Sequence, residues 1–348
     1  MKIAFRLDCG AAIGSGHLIR CGALAEEFAA QGCEVLFVCG NKVTVPVAVP
    51  VHYLTHAYTD DCAGQYTFPS IEDEAEELIE VLKENKVSCL IVDHYGATPA
   101  YFEKLRPHVE CLAAIDDLAK YTLPVDVVIN GNLYADERDY ETVPIRLCGP
   151  SYTLLRRCFR HVGRKEIRKR IQDIYITSGG ADPLGLCKKL ISACLSWDRE
   201  AAVFHIIIGP SFQPEYIEEL IAVAARHPCV KLLYMADMAD CMRQADLFIT
   251  ASGSTLYELA ACGVPNISVV LAEDQRELAN EMHRLGTTYN IGEIERIKDG
   301  TFSKAVAVLD SAAVRRRMGA LGQSLIDGYG TYRAACQINQ WIKEKYYG

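Results

Sequence analysis

The 348-residue chain has no apolar run long enough to cross a bilayer, so no stable membrane insertion is expected. It has little surplus of positive charge. Its 36 lysines and arginines stand against 45 acids, a net charge of −9. A nucleic-acid binder needs a basic face, so nucleic acid is not an expected partner. A small phosphorylated ligand is still open, because backbone amides and one or two arginines suffice to hold it. The 15 cysteines include no Cys-x-x-Cys pair and are odd in number. Cys39, Cys89, Cys111, Cys194 and Cys262 sit in apolar segments, which reads as reduced core thiols of a cytoplasmic protein. Met1–Asp8 lacks the apolar core of a secretory leader, which also leads to a cytoplasmic location. No acidic metal-binding motif stands out. His52 and His56 are four apart, but the segment from Val47 to Leu54 reads as extended and brings no partner ligands, so no metal is expected.

What is present begins at the first residues. An apolar strand, Lys2–Leu7, runs into a loop with Gly10, Gly14 and Gly16, and then into a helix that opens with His17 and Arg20. Glycines let backbone N–H groups approach an anion, and a helix N-terminus favours negative charge. His17 is the side chain in this segment that titrates near neutral pH, which makes it a candidate general base. Arg6 and Asp8 end the strand and point towards the loop. Asp8 is read as orienting His17 or a sugar hydroxyl, with a loop-capping Asx turn as the alternative. Asp93-His94-Tyr95-Gly96 and Asp116-Asp117 follow two further apolar strands and converge on the same sheet edge.

Apolar strands alternate with amphipathic helices twice, which predicts an α/β protein of two doubly wound parallel-sheet domains facing across a cleft. The expected strands are Lys2–Leu7, Glu34–Cys39, Val49–Leu54, Cys89–Asp93, Leu112–Asp116 and Val125–Ile129, then Asp173–Thr177, Val203–Ile208, Lys231–Met235, Leu247–Thr250 and Ile267–Leu271. Boundaries are expected at 1–155, at a basic linker over 156–172, at a second domain over 173–328 and at a terminal helix over 329–348 that packs back on the first domain. In the second half, Ser178-Gly179-Gly180-Ala181-Asp182-Pro183 joins a strand to a helix, with Asp182 as N-cap and Pro183 at the first helical position. Ser252-Gly253-Ser254-Thr255 opens another helix, which suits a diphosphate. Glu258 lies one turn after Ser254, where its two acceptor oxygens suit a ribose diol. Gln275 follows Asp274 at the start of a later helix.

These segments, in this order and over nearly the whole chain, resemble the UDP-2,4-diacetamido-2,4,6-trideoxy-β-L-altropyranose hydrolases of pseudaminic acid biosynthesis. The resemblance rests on Asp8, Gly14, Gly16 and His17, on Asp93–Gly96, Asp116-Asp117, Gly149–Tyr152 and Gly179–Asp182, and on Ser252–Thr255. It implies a GT-B fold related to MurG-type glycosyltransferases. It further implies a UDP-sugar substrate, no cofactor, and inverting hydrolysis to free sugar and UDP. It implies His17 as the base and places Tyr95 at the active site; Asp8 is expected to join them as a catalytic residue by setting the orientation. Substrate or nucleotide contacts are expected from Arg6, Gly14, Gly16, Gly179, Gly180, Ser252, Ser254, Thr255, Glu258 and Gln275. One departure is Asp274, where an asparagine is expected. The chain is expected to be a monomer or weak dimer. A MurG-like inverting glycosyltransferase and a non-catalytic nucleotide-sugar-binding protein are the alternatives.

Overall fold

The computed structural model describes residues 1–9, 15–40, 49–55, 71–195, 202–297 and 300–346. The chain forms two compact units, Met1–Arg157 with Gly328–Gly348, and Cys158–Asp327. In the first unit, seven parallel strands are ordered β3-β2-β1-β4-β5-β6-β7. They are β1 (Lys2–Leu7), β2 (Glu34–Cys39), β3 (Val51–Tyr53), β4 (Cys89–Asp93), β5 (Cys111–Ile115), β6 (Val127–Asn130) and β7 (Ile145–Cys148). The order reverses between β1 and β4, and that switch point is where doubly wound folds place ligands.

Both faces of this sheet are covered, as apolar parallel strands require. On one face Ile3, Phe5 and Leu7 of β1 pack with Leu18, Leu24 and Phe28 of α1 (Gly16–Ala30). The C-terminal helix (Gly330–Tyr346) adds Ala334, Ile338 and Ile342 to the same cluster. On the other face Ala4, Leu90 and Val92 pack with Leu78 and Leu82 of α2 (Ala75–Glu84) and with Tyr101 and Phe102 of α3 (Pro99–Leu105). β7 carries no apolar run, since Leu147 is its one buried residue, and so it gives no signal in the sequence.

The second unit repeats the scheme with six parallel strands in the order β10-β9-β8-β11-β12-β13. These are β8 (Asp173–Thr177), β9 (Val203–Ile208), β10 (Val230–Tyr234), β11 (Leu247–Ala251), β12 (Asn266–Val270) and β13 (Tyr289–Glu293). The helices are α4 (Leu186–Leu195), α5 (Pro214–Arg226), α6 (Met238–Gln244), α7 (Thr255–Cys262), α8 (Gln275–Arg284), α9 (Thr301–Leu309) and α10 (Ala312–Leu325). Ile174, Ile176, Ile249 and Ile267 bury against α4 and α9. α4 starts at Leu186 rather than at Pro183. Gly185 takes a left-handed φ of +65°, which no right-handed helix admits, so residues 183–185 form a turn. Asp182 still caps the helix, accepting from the N–H groups of Leu186 at 2.7 Å and Cys187 at 2.9 Å.

The basic run after Arg156 is tied into the second unit from residue 158 onwards. The fully buried Arg315 of α10 donates to the carbonyls of Leu309 and Arg168 at 2.6 and 2.7 Å. α10 also fixes α7 from behind. A Cβ at Gly319 would lie 2.3 Å from the carbonyl oxygen of Gly263, so only glycine permits this approach. Gly319→Ala is expected to destabilise the protein by about 1–3 kcal/mol through overpacking, measured as a drop in the urea midpoint. An unchanged midpoint would show that the helices separate freely.

Candidate active site

Two adjacent polar networks form at the switch point of the first sheet, and strand pleat decides which residues join each. Side chains alternate faces along a strand, and register partners on parallel strands share a face. Leu7 pairs with Asp93, and Leu7 belongs to the α1 face. Asp93 therefore meets α1. Arg6 and Asp8 lie on the opposite face, towards Glu74 and Tyr101.

On the α1 face, His17 Nδ1 lies 2.7 Å from Asp93 Oδ1. A carboxylate only accepts, so Nδ1 carries a proton, and in the neutral ring Nε2 then keeps the lone pair. Arg20, one turn further along α1, donates to Asp93 through Nε at 2.7 Å and Nη2 at 2.6 Å. Its Nη1 donates to Asp117 at 2.6 Å. The Tyr95 hydroxyl donates to the same Asp117 oxygen at 2.7 Å, and Asn132 donates to the other oxygen at 2.8 Å. The Tyr95 ring meets the His17 ring edge-on, with centroids 4.8 Å apart. Burial opposes ionisation of Asp93, but Arg20 and His17 overcome it and hold that carboxyl far below the usual range. Asp117 is likewise lowered against burial, chiefly by Arg20. Burial and then the charge of Asp117 push the Tyr95 phenol up, so Tyr95 stays protonated and acts as a donor and a wall. Arg20 offsets the charge of Asp93, so the carboxylate fixes the ring's tautomer without a bare negative charge beside it.

On the other face, Arg6 is fully buried and donates to Glu74 through Nε at 2.5 Å and Nη2 at 2.7 Å. Its Nη2 is also 2.8 Å from Asp8 Oδ2. Asp8 Oδ1 accepts from the Gly40 N–H at 2.7 Å, and His94 Nε2 is 3.3 Å from Oδ2. His94 Nδ1 accepts from the Gly96 N–H at 3.0 Å, so its proton sits on Nε2, facing Asp8. This corrects one expectation: Asp8 does not orient His17, because the pleat turns it to the other face. Arg6 gives Nε and Nη2 to carboxylates, while its buried Nη1 has no hydrogen-bond partner among the described residues. Burial raises the Asp8 pKa, but His94 and Arg6 outweigh it and bring it to about 2. The unfolded value is about 3.9, so Asp8 stabilises the fold above that pH and loses the effect as pH falls through about 2. The contribution is about 2 kcal/mol. Asp8→Asn is expected to reduce the loss of stability between pH 5 and 2, followed by urea unfolding, and an identical pH dependence would refute the assignment.

Gly14 lies outside the described residues, as does His56; Gly16 is the exposed first residue of α1. Among the described residues no group of His, Cys, Asp and Glu could hold a metal, and no helix is long and apolar enough to cross a membrane. Spacing could have found Arg20, which shares a helix face with His17 at i,i+3. Asp117 sits in a cluster visible in the sequence. Asn132 carries no sequence signal.

In the second unit the residues singled out lie at the carboxyl ends of β8, β11 and β12. Gly179 has φ +96° and donates its N–H to Thr177 Oγ1 at 3.1 Å. A Cβ at Gly209 would stand 2.4 Å from the carbonyl oxygens of Gly179 and Gly180, so the two loops press together. Ser252 is fully buried, and its Oγ has no hydrogen-bond partner among the described residues. Ser254 is exposed at the start of α7, Thr255 is half-buried, and Glu258 is buried in the first turn. Gln275 opens α8 with Oε1 accepting from the Leu271 N–H at 3.0 Å, so its carbonyl end closes its own loop.

Residues 174–309 match the family described as Glycosyltransferase family 28 C-terminal domain. MurG of Acinetobacter baumannii superposes with a TM-score of 0.70 at 15% identity, over 98% of this chain and all of that one. The fold is therefore the GT-B type, with two Rossmann-like parallel-sheet domains. An uncharacterized protein of Methanocaldococcus jannaschii is 25% identical over 88% of this chain, which spans 62% of that protein's length. A protein of Campylobacter jejuni is 31% identical over 297 residues, 82% of this chain and 97% of the relative. It bears the name UDP-2,4-diacetamido-2,4,6-trideoxy-β-L-altropyranose hydrolase. At that identity over nearly the full length of the relative, the chain belongs to the family of this hydrolase.

Proposed function

We propose that the protein hydrolyses a UDP-linked 2,4-diacetamido-2,4,6-trideoxy sugar to free sugar and UDP. The observation that carries this reading is the His17–Asp93 pair, 2.7 Å apart, which leaves Nε2 as an unprotonated base beside the Tyr95 wall. The oxygen of a water attacks the anomeric carbon. The bond from that carbon to the diphosphate oxygen breaks, and UDP leaves with the electron pair. The water proton passes to His17 Nε2. UDP is a good leaving group that needs charge stabilisation more than protonation. The start of α7, with Ser252, Ser254 and Thr255, and the Gly179-Gly180 loop are assigned to the diphosphate, and Glu258 to the ribose. Attack opposite the leaving group inverts the anomeric centre. Support comes from the name of the Campylobacter jejuni relative and from the family to which residues 174–309 belong.

Incubation of the protein with the UDP-sugar alone in ¹⁸O-water tests the reading. UDP and singly labelled free sugar are expected with no acceptor present. Strict dependence on an added acceptor alcohol would favour the glycosyltransferase alternative, and label in UDP would contradict attack at carbon.

A further inference from the structure

Behind Tyr95 the first unit contains a cavity of about 30 Å³ that the reaction described above does not use. It lies between the loops that follow β4 and β5. Its floor is apolar, made by Val92, Ala114, Phe102 and Leu123, all buried. Room for one water centre needs about 10–15 Å³, so this space admits a group of about two heavy atoms. His94 and Asp116 also line the space, but His94 Nδ1 already accepts from Gly96 and Asp116 from Leu118, Ala119 and Tyr140, so the apolar floor suits a methyl rather than a hydroxyl.

The mouth is built differently. Leu118 is 54% and Tyr121 38% exposed, and both line the cavity. Their loop is held in a costly shape. Ala119 takes a left-handed φ of +48°, which is strained for a residue with a Cβ. Asp116 enforces it, with Oδ1 accepting from the N–H groups of Leu118 at 3.0 Å and Ala119 at 3.3 Å. The Tyr140 hydroxyl donates to its other oxygen at 3.1 Å. Strain of this kind persists where the surrounding structure over-determines it. Lys120 also lines the cavity, its ammonium 5.1 Å from the Tyr121 ring centre. A dry floor with a cation at the rim matches an acylated amine, whose methyl enters while its carbonyl oxygen accepts from the ammonium. Tyr95 is among the residues lining this cavity, and its ring meets His17 in the candidate active site.

We infer that this cavity is a specificity pocket for the methyl of an N-acetyl group on the sugar. The inference rests on the proposed UDP-sugar hydrolysis. Ala97 also lines the cavity, is largely buried, and plays no part in the chemistry. The test measures UDP release from the diacetamido sugar and from analogues carrying N-propanoyl at C2 or at C4. Wild type is expected to lose about tenfold or more in kcat/KM for one analogue, the order of magnitude for a single methylene in a fitted pocket. Ala97→Gly is expected to recover most of that loss, and Ala97→Val to raise KM for the parent sugar while kcat holds. Leu118→Ser, at an exposed position that leaves the core intact, is expected to weaken the acyl discrimination by the same readout. If the acyl ratios of both analogues are the same in wild type, Ala97→Gly and Leu118→Ser, the pocket assignment is overturned while hydrolysis stands. Absence of UDP release from the parent sugar by wild type overturns both.

Discussion

Replacement of His17 by alanine is expected to lower kcat for UDP release by about 10²–10⁴, the usual worth of a positioned general base. The affinity for UDP, measured by calorimetry, should not change, because the residues assigned to the nucleotide belong to the second unit. His17 is buried beside Tyr95, so a thermal melt of the variant should accompany the kinetics. A fall of less than tenfold with an intact melt would remove His17 from the role of base.

Asp93→Asn is the second large effect, and it acts on two quantities at once. An asparagine amide can donate to Nδ1. The imidazole proton would then move to Nε2 and abolish the base. The expected loss in kcat is again about 10²–10⁴. The substitution also strips Arg20 of the carboxylate that receives two of its donors. Breaking a buried ion pair by removing one partner costs about 3–5 kcal/mol, which corresponds to a fall in Tm of about 10 °C for a unit of this size. The double variant Asp93→Asn with Arg20→Met separates the two effects. Stability should recover only in part, because Arg20→Met also removes the cation paired with the buried Asp117, whereas activity should not recover. Recovery of activity in the double variant would mean that Asp93 acts only by holding the fold. Asp93→Glu keeps the charge and should lose less in both measurements.

Much of the fold is legible in the residues themselves. β1, β2, β4, β8 and β9 have the limits the sequence predicts, because strands buried on both faces need uninterrupted apolar runs. The edge strands β7 and β13 carry no such run and were not expected. Ile145–Cys148 is mostly half-buried and Tyr289–Glu293 has no fully buried residue. Their place comes from pairing with β6 and β12, which is a long-range fact. The late start of α4 has a local cause, the left-handed Gly185, but a glycine two residues after Pro183 does not announce its own φ.

The candidate site divides in the same way. The sequence by itself determined that polar residues cluster after β1, β4 and β5, that a histidine opens α1, and that glycine and hydroxyl residues follow β8 and β11. Strand–helix alternation brings those segments to one sheet edge whatever the side-chain details. Only the tertiary structure decided which carboxylate serves His17. Asp8 and Asp93 end neighbouring strands and have the same chemistry. The register of β1 with β4 pairs Asp93 with Leu7, and the pleat then turns Asp93 towards α1 and Asp8 towards Arg6 and His94. A single residue's shift in that register would exchange the two faces. Local sequence does not encode register between strands more than eighty residues apart; packing on both sides of the sheet does.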